Sequence, residues 1–410
     1  MAPNVRRERS LDGAADEAAS LISEGTPANE ALTAAAAAFG LTLEDRDEIL
    51  SRASARLAPY GPLGKLMDDP TVRDIAVNGP TEVWVLRPDG WSRTEAAFRD
   101  ENELLGLVER LLIYGETREA LSRTNPVVDA RLTIAPRPRI CATISPASDS
   151  AITLTVRKYL EQNLSLVEMA GPRIGTMNRE MATTLYAAVV AGLNIVVSGG
   201  AGSGKTTLLN ALVGQIPANE RIIVIEDTPE VRLERGSAGH SNAVRLLVDR
   251  DTESRSADAM LRASLRMSPN RLVLGEVRGV EALTMLAAMN TGHDGSMSTI
   301  HASSALDALT RLEGLCLMAA GNVSTDAIRN QIIHAVDLVV QTVRTDTGHH
   351  VVAEIAEVDR EASSLRIRSL FLREPNGVFR AGDPPARWAR LAPYWPAKLA
   401  PPWPGVPRTG

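Results

Sequence analysis

Eight consecutive residues, Gly199-Gly200-Ala201-Gly202-Ser203-Gly204-Lys205-Thr206, constrain this chain more than any other feature. They satisfy G-x-x-x-x-G-K-[ST] in full. The apolar run Asn194-Ile195-Val196-Val197-Ser198 feeds into them, and Thr207-Leu208-Leu209-Asn210-Ala211-Leu212 continues as a predicted helix. Strand, glycine loop and helix in that order make a phosphate cradle. The glycines let backbone N–H groups converge on phosphate oxygens, and the helix N-terminus adds the positive end of its dipole. In such a cradle Lys205 reaches the β- and γ-phosphates and the Thr206 hydroxyl ligates Mg²⁺, with Thr207 beside it. Gly199 to Thr207 are therefore the expected nucleotide-binding residues.

Two further apolar strands run into carboxylates. Arg221-Ile222-Ile223-Val224-Ile225 leads to Glu226-Asp227, and Arg271-Leu272-Val273-Leu274-Gly275 leads to Glu276-Val277-Arg278-Gly279. An acid at the end of a buried strand lies at the carboxyl edge of a sheet, beside the phosphates, where it holds Mg²⁺ through water or polarises an attacking water. On this reading Glu276 activates the water and Glu226 supports Mg²⁺ or the nucleophile; a solvated strand end or an ion-pair partner is the alternative for either. Downstream, His293 and His301 flank a run of small and hydroxyl residues in MNTGHDGSMSTIHA. No cysteine or third histidine lies near enough to complete a zinc set, and taken alone the two read as structural histidines.

The strands at 193–198, 221–226, 271–275 and 295–300 alternate with helical segments. This predicts an α/β sheet covered on both faces, the three-layer arrangement, over residues 179–373. Before it, residues 60–160 mix predicted strands (75–78, 82–86, 151–156) with a helix over 102–113 and form a smaller α+β domain. Residues 161–178, with Gly171-Pro172, read as a linker. Residues 1–59 are Ala-rich and charged, with helical stretches at 31–39 and 43–57, and read as a mobile or loosely packed helical extension. Residues 374–410, rich in Pro, Trp and Arg, read as an extended tail whose prolines are available to a partner.

With 410 residues the chain exceeds what one core usually covers, in keeping with two domains. A formal net charge of −6 gives no reason to expect a nucleic-acid-binding protein. Two cysteines, Cys141 and Cys316, argue against a disulfide scaffold and a cysteine-ligated zinc, and favour a reducing cytosol. The N-terminus lacks an apolar signal core and no window offers ~20 consecutive apolar residues. Membrane association is therefore expected to be indirect.

In their order, GGAGSGKTTLLNAL, IEDTPEV, LRMSPNRLVLGEVRG and MNTGHDGSMSTIHA resemble the Walker A, Asp-box, Walker B and His-box motifs of the type II/IV secretion ATPases. The subtype most similar is the CpaF/TadA type, the assembly ATPases of tight-adherence (Flp) pili. Upstream, GPLGKLMDDPTVRDIAVNGPTEVWV, PVVDARL and LTVRKY resemble that family's N-terminal domain, so the likeness runs from about residue 60 to about residue 358.

The resemblance implies a RecA-like ATPase domain and a homohexameric ring that turns ATP hydrolysis, with Mg²⁺, into work on integral inner-membrane platform proteins from the cytoplasmic side. It makes Glu226 the Asp-box acid and Glu276 the Walker B glutamate, with His293 and His301 linking nucleotide state to domain position. Arg131, Arg139 and Arg157 resemble the arginines that the N-terminal domain brings to the phosphates. A cation there neutralises charge developing in the transition state. The loop after Arg131 departs from the family's D-G-S-R pattern, so three arginines compete for one role. Conjugative DNA or effector transport, and a nucleotide-binding regulator with little hydrolysis, are the alternatives.

Overall fold

A computed structural model describes residues 3–407 apart from 24–25, 43–44, 47, 50–51, 54–58, 88, 116–118, 135–136, 150–151, 159–163, 234–241, 250–251, 322 and 363. The chain divides between Glu161 and Gln162 into two units.

The first unit starts with two helices, α1 (Pro3–Ser23) and α2 (Ala28–Ala38). Leu11, Ala14, Ala15 and Ala18 of α1 bury against Leu32, Ala35 and Ala36 of α2, a spacing of three and four that lines one helical face. The helical stretch expected at 43–57 lies mostly outside the described residues. There follows a six-stranded antiparallel sheet: β1 (Asp74–Val77), β2 (Val83–Arg87), β3 (Gly90–Arg93), β4 (Val127–Arg131), β5 (Arg139–Ile144) and β6 (Ile152–Arg157), in the order β3-β2-β1-β6-β5-β4. Its strands alternate buried and exposed residues. The buried side chains, among them Ile75, Val85, Ile140 and Val156, pack on Leu104, Leu107, Val108 and Leu111 of α3 (Glu101–Ile113). The Asp100 side chain caps α3 by accepting from Glu103 N at 2.9 Å.

In the second unit α4 (Leu166–Ala170) and α5 (Arg179–Val190) precede a nine-stranded sheet. Its strands are β7 (Ile195–Gly199), β8 (Ile222–Glu226), β9 (Ala243–Leu247), β10 (Arg271–Leu274), β11 (Met297–Ile300), β12 (Leu338–Arg344), β13 (His350–Val358), β14 (Ile367–Arg373) and β15 (Phe379–Ala381). They lie in the order β15-β14-β13-β12-β7-β11-β10-β8-β9. The strands from β12 to β9 in that order are parallel, and β13, β14 and β15 extend the sheet antiparallel.

Every residue of β7, β8, β10 and β11 is buried, as two covered faces require. On one face α5 and α6 (Lys205–Val213) supply Leu185, Leu209 and Leu212. On the other, α7 (Ala257–Ser264), α8 (Glu281–Asn290), α9 (Ala305–Ala320) and α10 (Thr325–Ala335) supply Leu261, Leu286, Leu312 and Ile332. The result is the three-layer α/β fold.

Two segments depart from the expectation drawn from composition. Leu166, Met169 and Met177, in the stretch read as a linker, are buried in the core of this unit. The Pro-rich C-terminal segment, read as an extended tail, also folds back onto the core. Trp395 and Trp403 are buried, and Trp403 packs in a tilted pair with Phe371 of β14, centroids 5.1 Å apart. A short helix, α11 (Trp388–Leu391), follows Arg387. The Arg387 guanidinium pairs with Asp337 at 2.8 Å and Glu357 at 2.8 Å, and Glu357 also accepts from Ala386 N and Arg387 N. The tryptophans and arginines provide this anchorage, and the prolines do not oppose it because the segment needs little regular hydrogen bonding.

Candidate nucleotide-hydrolysis site

At the centre of the nine-stranded sheet, β7 runs into the glycine loop and then α6. Gly199 has φ of +155°, and a Cβ there would stand 2.4 Å from Thr342 O and 2.3 Å from Ser203 Oγ. Only glycine permits this approach of the loop to β12. Thr342 then ties the loop down: its hydroxyl donates to Ser198 O (2.9 Å) and so accepts from Ser203 Oγ (2.8 Å). Gly204, at φ +96°, takes the left-handed turn from which α6 starts. Gly200, Ala201 and Gly202 are exposed, whereas Thr206 and Thr207 are half-buried in the first turn of α6.

Lys205 is buried, and its Nζ donates to Gly199 O (3.1 Å) and Gly200 O (2.8 Å) inside the cradle. The third neighbour of Nζ is Nδ1 of His301, 3.2 Å away. An ammonium has only protons to offer, so Nδ1 is the acceptor and Nε2 carries the proton. Nε2 lies 3.2 Å from Oε1 of Glu276. Burial, then the Lys205 charge, hold the His301 pKa below the usual imidazole value, consistent with a neutral ring. Burial likewise lowers the pKa of Lys205, with Glu276 opposing.

This convergence follows from strand order. Lys205 begins the helix after β7, His301 directly follows β11, Glu276 comes two residues after β10 and Asp227 directly follows β8. Those four strands are consecutive neighbours. Their carboxyl ends thus set lysine, imidazole and two carboxylates in one row. Arg278 closes it: Nη2 donates to Oε2 of Glu276 (2.5 Å) and Nη1 to Oδ2 of Asp227 (3.3 Å). Arg278 and Thr342 were not singled out from the sequence. An arginine two residues beyond an acid is the one local signal for the first; the partnership of Thr342 depends on strand pairing.

Other expected residues stand elsewhere. Glu226, assigned to Mg²⁺ or the nucleophile, is buried and turned into its own loop. Oε2 accepts from Glu230 N and Val231 N, both at 3.0 Å, and Oε1 lies 2.8 Å from Arg245 Nε but off the N–H axis, a charge contact without a directed hydrogen bond. Both oxygens are engaged, so the carboxylate braces the loop. Burial pushes its pKa up to about 7. Gly275 makes room for it, since a Cβ there would meet Glu226 Cβ at 2.9 Å.

His293 lies in the turn before β11, at the amino edge of the sheet. Its N–H donates to Ala288 O, and its carbonyl accepts from Ser296 Oγ. The length of β11, about 13 Å for four residues, separates it from His301, so it has no part in the cluster.

In the first unit Arg131, Arg139 and Arg157 stand directly opposite one another on β4, β5 and β6. In an antiparallel sheet opposed residues share a face. Arg139 forms a fork with Asp129 (2.8 and 2.6 Å), and Arg157 pairs with Asp74 (2.9 Å).

A mostly parallel sheet layered by helices, with a glycine loop running from its middle strand into a helix, defines a RecA-like P-loop nucleotide-binding fold. Residues 57–369 match the family described as Type II/IV secretion system protein. The chain belongs to that family. It is 30% identical over 336 residues to the type IV secretion system protein VirB11 of Bartonella quintana, covering 73% of this chain and 92% of that one. A Mycobacterium tuberculosis protein whose name ascribes it to conjugal transfer is 32% identical over 308 residues, covering 73% and 84%. Among solved structures, the Legionella pneumophila ATPase DotB superposes with a TM-score of 0.56 at 18% identity, covering 73% of this chain and 80% of that one. The pilus retraction motor PilT with bound ADP superposes at 0.53 and 16% identity, covering 81% and 85%. These two likenesses bear on fold.

Proposed function

We propose that this chain is an ATP-hydrolysing motor of a bacterial secretion or pilus machine. The observation that carries the reading is the row of Lys205, His301 and Glu276 at three adjacent strand ends beside the glycine loop. Lys205 exchanges its contacts with the Gly199 and Gly200 carbonyls for β- and γ-phosphate oxygens. Glu276 orients and polarises the attacking water, and the neutral His301 ring holds that carboxylate in register with the lysine.

Thr206 and Glu276 suit Mg²⁺, which takes few protein oxygens and otherwise uses phosphate and water. Among the described residues there is no group of three His, Cys, Asp or Glu side chains set to hold a metal by itself, in keeping with a metal that arrives with the nucleotide. When bound, Mg²⁺ neutralises charge on the phosphates.

Phosphate release with ATP and Mg²⁺ tests the reading. Lys205→Ala and Glu276→Gln should each reduce turnover to background; sustained turnover in Lys205→Ala would refute the site.

The unit of action in this reading is a homohexamer whose subunits open and close with nucleotide state and push on integral inner-membrane platform proteins from the cytoplasmic face. Among the described residues no helix is long and apolar enough to cross a membrane, which suits docking through partners. The finer assignment, Flp-type pilus assembly by a CpaF/TadA-type ATPase, rests on the motif wording of the chain. Conjugative transport is favoured instead by the relative named for conjugal transfer. Neighbouring genes separate the two: pilin-like and platform proteins support the pilus, a relaxase supports conjugation.

A further inference from the structure

Among the described residues Arg278 is the one guanidinium that touches Glu276, and it does so while holding a second carboxylate. Its Nη2 lies 2.5 Å from Oε2 of Glu276 and its Nη1 lies 3.3 Å from Oδ2 of Asp227. The backbone that carries it is itself held. Glu281, buried at the start of α8, accepts from Arg278 N (2.6 Å) and Gly279 N (2.9 Å) through one carboxylate oxygen. Gly279 leaves the space for this, because a Cβ there would come within 3.1 Å of Glu281 Oε2. On its opposite oxygen Glu276 faces His301. The carboxylate is thus gripped from two sides, by a ring fixed on Lys205 and by a fork fixed on a rigid turn.

We propose that Arg278 is a positioning residue for hydrolysis: by bridging Glu276 to Asp227 it sets the direction of the water-orienting carboxylate and ties it to the loop that follows β8. The inference rests on the ATPase reading above. A guanidinium is suited to the role because it spans two acceptors in one plane, which a lysine ammonium does not. Asp227 is the second anchor, so loss of its charge frees the fork to rotate. Among the described residues the Arg278 side chain hydrogen-bonds to the two carboxylates and not to the glycine loop, so nucleotide affinity is expected to be left largely intact.

The test measures kcat and KM for phosphate release together with equilibrium binding of a fluorescent ATP analogue to the full chain. Arg278→Ala should lower kcat by roughly 10- to 100-fold, the scale on which misplacement of a reacting group acts, with analogue affinity within about threefold. Arg278→Lys should restore little of the loss, and Asp227→Asn should lower kcat in the same direction by a smaller factor. The proposal is overturned by wild-type kcat in Arg278→Ala, by full rescue in Arg278→Lys, or by a change confined to KM. If Arg278→Ala fails to fold by thermal melting, Asp227→Asn decides, and unchanged kcat there overturns it. No phosphate release by the wild-type chain would instead bring down the ATPase reading, and this role with it.

Discussion

Lys205 Nζ stands 3.2 Å from Nδ1 of His301, and the far nitrogen of the same ring stands 3.2 Å from Glu276. One imidazole therefore links the lysine of the glycine loop to the carboxylate that follows β10, and its tautomer is set by the lysine.

This link implies a defined acid limb. The His301 pKa lies below the usual 6.5 because of burial and the Lys205 charge, so the ring stays neutral at and somewhat below that pH. Protonation at lower pH replaces the acceptor at Nδ1 with a donor facing an ammonium. ATP turnover should fall on the acid side of the ordinary imidazole value, where the ring takes up a proton, and His301→Gln should flatten this limb while lowering kcat. A pH–rate profile of both proteins checks it; an acid limb retained in the variant argues against His301 as its source.

Glu226 makes a separate prediction about stability. Burial pushes its folded pKa up to about 7, from 4.5 for an ordinary glutamate. Between those values the folded state binds more protons than the unfolded state, so this group's contribution to stability falls as pH rises through the window. The melting temperature of Glu226→Gln minus that of the wild type should grow more positive from pH 5 to pH 8 in thermal denaturation. A difference that is flat across that range would contradict the burial argument.

Gly199→Ala should damage the cradle. The added methyl meets the Thr342 carbonyl oxygen, a backbone atom that no rotamer change moves, and φ of +155° disfavours any side chain. Backbone strain of this type costs roughly 1–3 kcal/mol, and displacing the loop also moves the amides proposed to hold phosphate. Isothermal titration with an ATP analogue should show greatly weakened or absent binding in a chain that still melts cooperatively.

The C-terminal aromatic anchor should be energetically large. Trp403 is 2% exposed and its Nε1 donates to Leu370 O at 3.2 Å. Trp403→Ala should cost about 3–5 kcal/mol, seen as an earlier midpoint in chemical denaturation. A loss under about 1 kcal/mol, the surface-substitution scale, would mean that the segment detaches from the core.

Local order carried much of this in the sequence. An apolar run, glycines and a lysine at fixed spacing specify strand, loop and helix through short-range sterics, so the cradle and the α/β class were legible. The placing of Glu276 and His301 at strand ends was legible too, since each follows a buried strand and such strands end at one edge. Glu226 shares that pattern, and only its surroundings, Arg245 and the amides of Glu230 and Val231, turned it inward. His293 shares a motif with His301, yet an intervening strand carries it to the other edge. The aromatic C-terminal segment was obscured by its prolines, because composition reports average tendency and not which tryptophan finds a pocket.

The sequence by itself determined the glycine loop between β7 and α6, because that depends on residues adjacent in the chain. Only the tertiary structure decided that β11 lies between β7 and β10, which brings His301 between Lys205 and Glu276, and that β12 flanks β7, which puts Thr342 under the loop. Strand order arises from burying two helical layers on one sheet, a long-range packing problem in which β7 and β12 meet through Ser198 and Thr342, 144 residues apart.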